Sequence, residues 1–378
     1  MRIARATLTP FRIPLRRPLV TARGEQAARE GVLIGLEAEN GATGWGESTP
    51  IAGFGLEPLA QTQRALAAGL EALLEAEVRD LDAALDRVAQ CTPGAPSARA
   101  GLDFALHDLF ARASDRSVAA LLCADRAAQP HASVPVNALI SAGDAATAVR
   151  HARQAVAHGF RVLKLKLGFD TPDRDVARAT AVREAIGAAI ELRLDANGAW
   201  DEATAQRTLA ALAPLAPAFV EQPVAAGDLD ALARVRAAAS VPVAADESVR
   251  DEAQARALIA RKAADCLIVK PAALGGLRPA QRIAACALGA GIDVVVTGLL
   301  DAAIGSAAAL HFAASLPAPL RAAGLAGDAL LAADLALLPR VHAGARALPE
   351  GPGLGVVPKP KAVARVATGP TQERRARC

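Results

Sequence analysis

The chain has no long hydrophobic run, no paired cysteine spacing, no excess of charge of one sign and very little lysine, and each lack excludes something. Every apolar stretch in its 378 residues is cut by Arg, Asp or Glu well short of the roughly 18 residues that a membrane helix needs. No membrane partner is expected. The five cysteines, Cys91, Cys123, Cys266, Cys286 and Cys378, are odd in number and unpaired in spacing, so neither a disulfide framework nor a thiolate zinc site is indicated and a reducing cytoplasm fits. The 42 basic and 39 acidic residues are interleaved and leave a net charge of +3. Only the C-terminal end, with Lys359, Lys361, Arg374, Arg375 and Arg377, is distinctly basic, so nothing points to nucleic acid. The N-terminus lacks the apolar core of a signal peptide and alternates like a strand over residues 3–15, interrupted by Pro10 and Pro14, so it is read as folded structure.

What is present is a large core. Hydrophobic residues make up 52% of the chain, with Gly 30 and Pro 24 dispersed rather than clustered, which excludes bulk disorder and, at this length, favours about two domains. Only six of the 42 basic residues are lysine: 164, 166, 262, 270, 359 and 361. Arg does not lose its proton in a protein, whereas a buried Lys can. Lys164, Lys166 and Lys270 are therefore the first candidates for chemistry.

Residues 1–130 read as an α+β unit, with strands at 3–15, 32–39 and 43–47, an Asn40-Gly41 hairpin turn, helices at 57–76 and 97–113, and loops at 21–30 and 51–56. From 131 to about 330, short apolar runs alternate with Ala- and Arg-rich helices: 134–140, 161–167, 191–195, 218–221, 241–245, 265–270 and 292–297. The eighth unit, near 321–327, has no strand signal of its own. This series predicts an α/β fold, a (β/α)8 TIM-type barrel with an N-terminal α+β cap, over an open doubly wound sheet, because no Gly-rich phosphate turn follows the first run. Residues 331–378 are expected to return to the cap.

A barrel places its site at the C-terminal ends of its strands, and here those ends are polar. Strand two ends in Lys164-Leu165-Lys166, whose period of two puts both lysines on one face. Asp195-Ala196-Asn197, Glu221-Gln222-Pro223, Asp246-Glu247-Ser248 and Lys270-Pro271 end the next four, and Asp195, Glu221, Asp246 and Lys270 follow at steps of 26, 25 and 24 residues. Three converging carboxylates without His or Cys suit a hard divalent cation, Mg²⁺ first and Mn²⁺ second. Strands two and six lie opposite in a ring of eight, so Lys166 and Lys270 should face each other across it. That geometry suits removal of a proton α to a carboxylate, with Lys166 as base, eased by the like charge of Lys164, and the cation stabilising the enediolate. Lys164 has a competing role as an ion-pair partner of a ligand acid.

These residues resemble the enolase superfamily, in its muconate lactonizing subgroup. The likeness runs from Gly44-Trp45-Gly46-Glu47 through Asp103-Phe104-Ala105-Leu106-His107-Asp108-Leu109 to Gly351-Pro352-Gly353-Leu354-Gly355. It implies a cap closing over the barrel, Asp195, Glu221 and Asp246 on Mg²⁺, Lys166 and Lys270 as the acid/base pair, and Lys164 tuning Lys166. Within the subgroup, Pro18-Leu19-Val20-Thr21-Ala22-Arg23-Gly24, Arg29-Glu30-Gly31 and Pro50-Ile51-Ala52-Gly53-Phe54-Gly55-Leu56-Glu57 look most like o-succinylbenzoate synthases, lyases of menaquinone biosynthesis. That likeness implies loss of water and a purely electrostatic Lys270. N-succinylamino acid racemases and dipeptide epimerases are the alternatives, the latter weakened because Gly324-Leu325-Ala326-Gly327-Asp328 lacks an Asp-Xaa-Asp pair for an ammonium group. Thr297-Gly298-Leu299-Leu300-Asp301 replaces the Ser- and Glu-containing segment of many relatives. A Schiff-base aldolase-like barrel and a catalytically dead binding barrel are the readings from other classes.

The expected substrate is a small-molecule carboxylate, contacted by Phe54, Thr297 and Asn197, and a homo-oligomer stays open. Glu247, of opposite parity to Asp246, is expected to orient a lysine or cap a helix. His107 and His311 are expected to be structural, and Cys266 barrel core.

Overall fold

The computed structural model describes residues 1–21, 24–51, 54–75, 77–124 and 128–376. The expectations that rest on Ala22, Arg23, Ala52, Gly53, Arg377 and Cys378 lie outside the described residues. Two units are seen, an antiparallel sheet with helices and a ring of parallel strands.

In the first, β1 (Ile3–Thr21) pairs antiparallel with β2 (Gly24–Ala38), and β2 with β3 (Thr43–Ser48). Pro10 and Pro14 do not interrupt β1: they face Val32 and Ala28, and the register holds from Arg5 to Pro14, shifting only before Arg5 and beyond Pro14. On the far side of β1 only isolated bridges at Phe11 and Leu15 continue past Leu8, so these prolines cost no ladder bonds there. The loop expected at 21–30 is for the most part β2. Four helices follow, α1 (Leu59–Leu74), α2 (Leu81–Cys91), α3 (Pro96–Ala113) and α4 (Val118–Leu122). β3 lies so close to α3 that a Cβ on Gly46 would stand 1.9 Å from the Gly101 carbonyl oxygen. Glycine is needed there for space.

The ring begins after β4 (Ser133–Pro135) with β5 (Ala138–Ile140), α5 (Ala145–Ala157), β6 (Val162–Lys166), α6 (Pro172–Ile186), β7 (Glu191–Asp195) and α7 (Glu202–Leu212). It continues through β8 (Phe219–Glu221), α8 (Leu229–Ala238), β9 (Val243–Ala245), α9 (Glu252–Ala260), β10 (Cys266–Val269), α10 (Pro271–Leu274), α11 (Leu277–Gly289), β11 (Asp293–Val296) and α12 (Ala303–Ser315). Asp144, Asp201, Asp228 and Asp251 each accept from a backbone N–H in the first turn of the following helix, which is why these helices start where they do.

The seven strands β5 to β11 are parallel and paired in chain order. Their edges meet through the segment with no strand signal, for Ala323 bridges Val136 and Gly324 bridges Thr297. An irregular eighth strand thus closes the barrel. The run at 134–140 is a correction: it is two strands, because β4 pairs antiparallel with residues 345–347 near the chain's end whereas β5 joins the barrel. The chain ends with β12 (Val341–His342), β13 (Ala345–Ala347), α13 (Pro360–Val366) and β14 (Gln372–Arg375), and β14 pairs with β1. No described helix is long and apolar enough to cross a membrane.

Buried carboxylates of the first unit cap helices of the second. Asp103 of α3 accepts from Leu277 N at 2.7 Å at the start of α11. Glu47 of β3 accepts from Ala302 N at 2.6 Å and Gly305 N at 2.9 Å at the start of α12. Burial, then the nearby Asp301 carboxylate, push Glu47 up to about 8 despite those bonds.

Two outcomes follow from this packing. Gly46→Ala should lower stability by about 1–3 kcal/mol through overpacking against α3, read as a drop in denaturation midpoint. Glu47 keeps its proton in the fold up to about 8, whereas an unfolded glutamate loses it near 4.3. Its contribution is therefore fully present below the unfolded value and lost as pH rises through the folded one. Denaturant titrations at about pH 5 and about pH 9 should show a smaller pH-dependent loss in Glu47→Gln than in the wild type; equal losses would remove this assignment.

Candidate active site

Consecutive strand ends from β6 to β10 deliver Lys, Asp, Glu, Asp and Lys to one face of the barrel. Lys166 is paired with Asp195 and Asp195 with Glu221 in the parallel ladder, while Glu221 pairs with Ala244, two residues before Asp246. In-register pairing and a side-chain period of two bring the acids to one height. Asp195, Glu221 and Asp246 are all buried, and each offers an oxygen within 4.8 Å of the others. Leu163, Leu165 and Leu167 point the other way into the core.

The lysines flank this triad. Lys166 Nζ donates to Asp195 Oδ2 at 2.6 Å and Asn197 Oδ1 at 2.8 Å, and Lys270 Nζ donates to Asp246 Oδ2 at 2.6 Å. Lys164 Nζ donates to Glu221 Oε1 at 2.5 Å and lies 2.9 Å from the same Asp195 oxygen that Lys166 holds. Lys164 is thus an ion-pair partner of two acids and shares one Asp195 oxygen with Lys166.

The charges explain one another. Burial alone would lower Lys164, but Asp195, Glu221 and Asp246 more than offset it and raise its pKa. Burial would raise Asp195, yet Lys164 and Lys166 hold it well below the usual carboxylate range. Glu221 is pushed well up, by burial first and then by the negative charge of Asp195, with Asp246 adding to it. Two buried oxygens, Glu221 Oε2 and Asp246 Oδ1, have no hydrogen-bond partner. Buried anionic oxygens without partners are costly, and an all-carboxylate set with such oxygens fits a hard divalent cation. The residues present can hold one.

Other residues support this set. Gln222, whose φ is 39°, accepts from Asp246 N and Ser248 N at 3.0 and 3.2 Å, and donates to Ser248 Oγ at 3.0 Å. It fixes the turn that presents Asp246. Arg178 donates to the Lys166 carbonyl at 3.1 Å and to Asp175 at 2.5 Å. Neither was singled out from the sequence, since their bonds are chiefly to backbone or to distant turns. Asn197 donates its amide to Glu247 Oε1 at 3.1 Å while its carbonyl accepts from Lys166. Asn197, expected to touch substrate, thus also links Lys166 to Glu247.

Phe54 and Thr297 reach the site by different routes. The Phe54 ring centre lies 4.1 Å from Lys270 Nζ, a cation–π contact that places the aromatic face at the site. Thr297 is buried, and its hydroxyl has no partner. His107 contacts Asp103 at 3.0 Å, and His311 joins Ala119 N to the Leu354 carbonyl, with burial pushing it down to about 4. Cys266 packs with Phe219, Ala244, Ile268 and Val295 in the barrel interior.

Both units match known families. Residues 3–123 match the mandelate racemase / muconate lactonizing enzyme N-terminal domain, and residues 147–362 the enolase C-terminal domain-like family. A chloromuconate cycloisomerase of Cupriavidus pinatubonensis is 34% identical over 91% of this chain and 93% of its own. The crystal structure of the N-succinyl Arg/Lys racemase from Bacillus cereus superposes with a TM-score of 0.93 at 27% identity, over 99% of this chain and 100% of that one. A dipeptide epimerase from Enterococcus faecalis, complexed with Mg and the dipeptide L-Leu-L-Tyr, gives 0.88 at 28% identity, over 94% and 99%. The strand-end lysines and acids stand in a chain that belongs to the enolase superfamily, in its muconate lactonizing enzyme subgroup.

Proposed function

We propose that this enzyme is a Mg²⁺-dependent racemase of N-acylated amino acids, of the N-succinyl type, working in a reducing cytoplasm. The observation that carries it is the order Lys166, Asp195, Glu221, Asp246, Lys270, with an amine on each side of the triad, each hydrogen-bonded to an outer acid. Racemization requires removal of a proton from one side of a carbon and return of another from the opposite side.

In this reading Asp195, Glu221 and Asp246 hold Mg²⁺, with Mn²⁺ as its substitute. When bound, the ion supplies positive charge to the substrate carboxylate and makes the α proton easier to remove. Lys166 takes that proton on one face, and Lys270, protonated, gives one to the other face. In the reverse direction the two exchange roles. Lys164 stays charged between Glu221 and Asp195. Asn197 and Glu247 keep the Lys166 amine aimed, Phe54 walls the Lys270 side and Thr297 offers its hydroxyl to the ligand.

Two further observations favour an acylated nitrogen over the free ammonium of a dipeptide. The acidic residue near the eighth strand, Asp328, is engaged by the buried Arg346. A cavity of about 320 Å³ at the ends of β5 and β6 is lined by Arg17, His151, Asp144 and Phe169; Arg17 is its cation for an anionic acyl tail, since burial and then Arg17 hold His151 below its ordinary value. Similarity to a racemase, an epimerase and a cycloisomerase moves the o-succinylbenzoate synthase expected from the loop segments into second place. That synthase reading is supported by those segments alone and needs only Lys166 as a proton carrier.

Incubation with Mg²⁺ in deuterated water separates the two. N-succinyl amino acids should exchange their α proton and racemize, while the succinyl-hydroxycyclohexadiene acid aromatises slowly; the reverse pattern would replace the racemase by the synthase. Lys166→Ala should cut racemization by about 10²–10⁴-fold or more. Lys270→Ala should still permit α-deuterium exchange of one enantiomer but not its inversion, and undiminished inversion would refute the two-lysine assignment. Chelation by EDTA should abolish turnover and added Mg²⁺ restore it, whereas full activity in chelator would remove the metal from the reading.

A further inference from the structure

Arg29 lies on β2 of the cap, outside the acid–lysine set, and is 2% exposed. Its guanidinium bonds to backbone carbonyls of two separate loops. Toward the cap it donates to the Thr49 carbonyl at 2.5 Å and the Pro50 carbonyl at 3.4 Å; toward the barrel it donates to the Leu300 carbonyl at 3.1 Å. Burial lowers its pKa, with Asp301, Glu47 and Glu30 opposing. A buried arginine that spends its donors this way joins the two loops it touches.

Both loops lead to the site. Beyond Pro50, the amide of Phe54 donates back to the Ile51 carbonyl at 2.9 Å, so the position of the Phe54 ring over Lys270 follows from where residues 49–51 are held. Three residues before Leu300 stands Thr297, with its unpartnered hydroxyl. Leu300 has a φ of 57°, a left-handed conformation that side-chain-bearing residues adopt only when their surroundings hold them there. Asp301 completes the junction, accepting from Thr49 Oγ1 at 2.9 Å and Leu299 N at 2.8 Å.

We infer that Arg29 is a positioning residue that clamps the cap loop bearing Phe54 to the barrel turn bearing Thr297, and thereby fixes the width of the pocket that selects the substrate side chain. The clamp itself rests on the geometry; its effect on selectivity rests also on the proposed racemase reading. Lysine keeps the positive charge but not the planar fork needed to reach both loops.

The experiment uses the full-length enzyme with Mg²⁺ and compares wild type, Arg29→Lys and Arg29→Met. Hydrogen–deuterium exchange should quicken together in residues 49–56 and 297–302 of Arg29→Lys, with the other barrel loops unchanged. Faster exchange in the cap loop alone would overturn the clamp. With N-succinyl amino acids of graded side-chain size, the ratio of kcat/KM between preferred and disfavoured substrates should narrow by about tenfold or more, chiefly through KM. An unchanged ratio, or a loss confined to kcat, would overturn the role in selectivity. Should Arg29→Met fail to fold, Arg29→Lys still gives both measurements. Should the wild type turn over none of these substrates, the racemase reading falls while hydrogen exchange still decides the clamp.

Discussion

Mutual repulsion among Asp195, Glu221 and Asp246 is the constraint around which the rest of the molecule is arranged. Carboxylates that close, and that buried, cannot all carry charge unless cations surround them. Lys164, Lys166 and Lys270 surround them on three sides, and two oxygens are still left without a hydrogen-bond partner. Strand order and register bring the acids together, and the barrel's closed sheet prevents them from relaxing apart. Stability is therefore traded for a site organised before its ligand arrives, which is how preorganised electrostatics acts in enzymes.

The cap is attached by polar atoms as well as by apolar packing. Glu47 and Asp103 reach from the cap to the first turns of α12 and α11, where backbone N–H groups have no partner within the helix. Gly276 is part of the same joint: its φ is 118°, and a Cβ there would stand 2.2 Å from the Asp103 carboxyl carbon. Asp108 likewise accepts from Leu354 N and Trp45 N. Directional bonds of this kind fix orientation, and orientation is what places Phe54 above Lys270.

The site was legible in the sequence because its residues end consecutive strands at near-constant spacing, and because lysine is rare in a chain that otherwise uses arginine. The cap's three leading strands and two of its helices were legible from period alone. The eighth strand was not, since Ala323 and Gly324 bond through their backbones and carry no β-branched pattern. The two-strand nature of residues 134–140 was hidden because Val136 and Asn137 change partners, to Gly344 and Ala323, without any change in composition. Arg29, Glu47 and Gln222 stand in quoted motifs, but their roles were not legible for a related reason: their principal partners are backbone atoms 20 or more residues along the chain, and periodicity carries no trace of such bonds.

Lys164 breaks the near-mirror order of lysine, acid, acid, acid, lysine, because it stands beside Lys166 and, among the described residues, no third lysine stands beside Lys270. For a pair of enantiomers the equilibrium constant in solution is one. Microscopic reversibility then obliges the two directions to share a single kcat/KM, however lopsided the protein. In the racemase proposed above, the asymmetry introduced by Lys164 would therefore appear only as compensating differences in kcat and KM between the two hands.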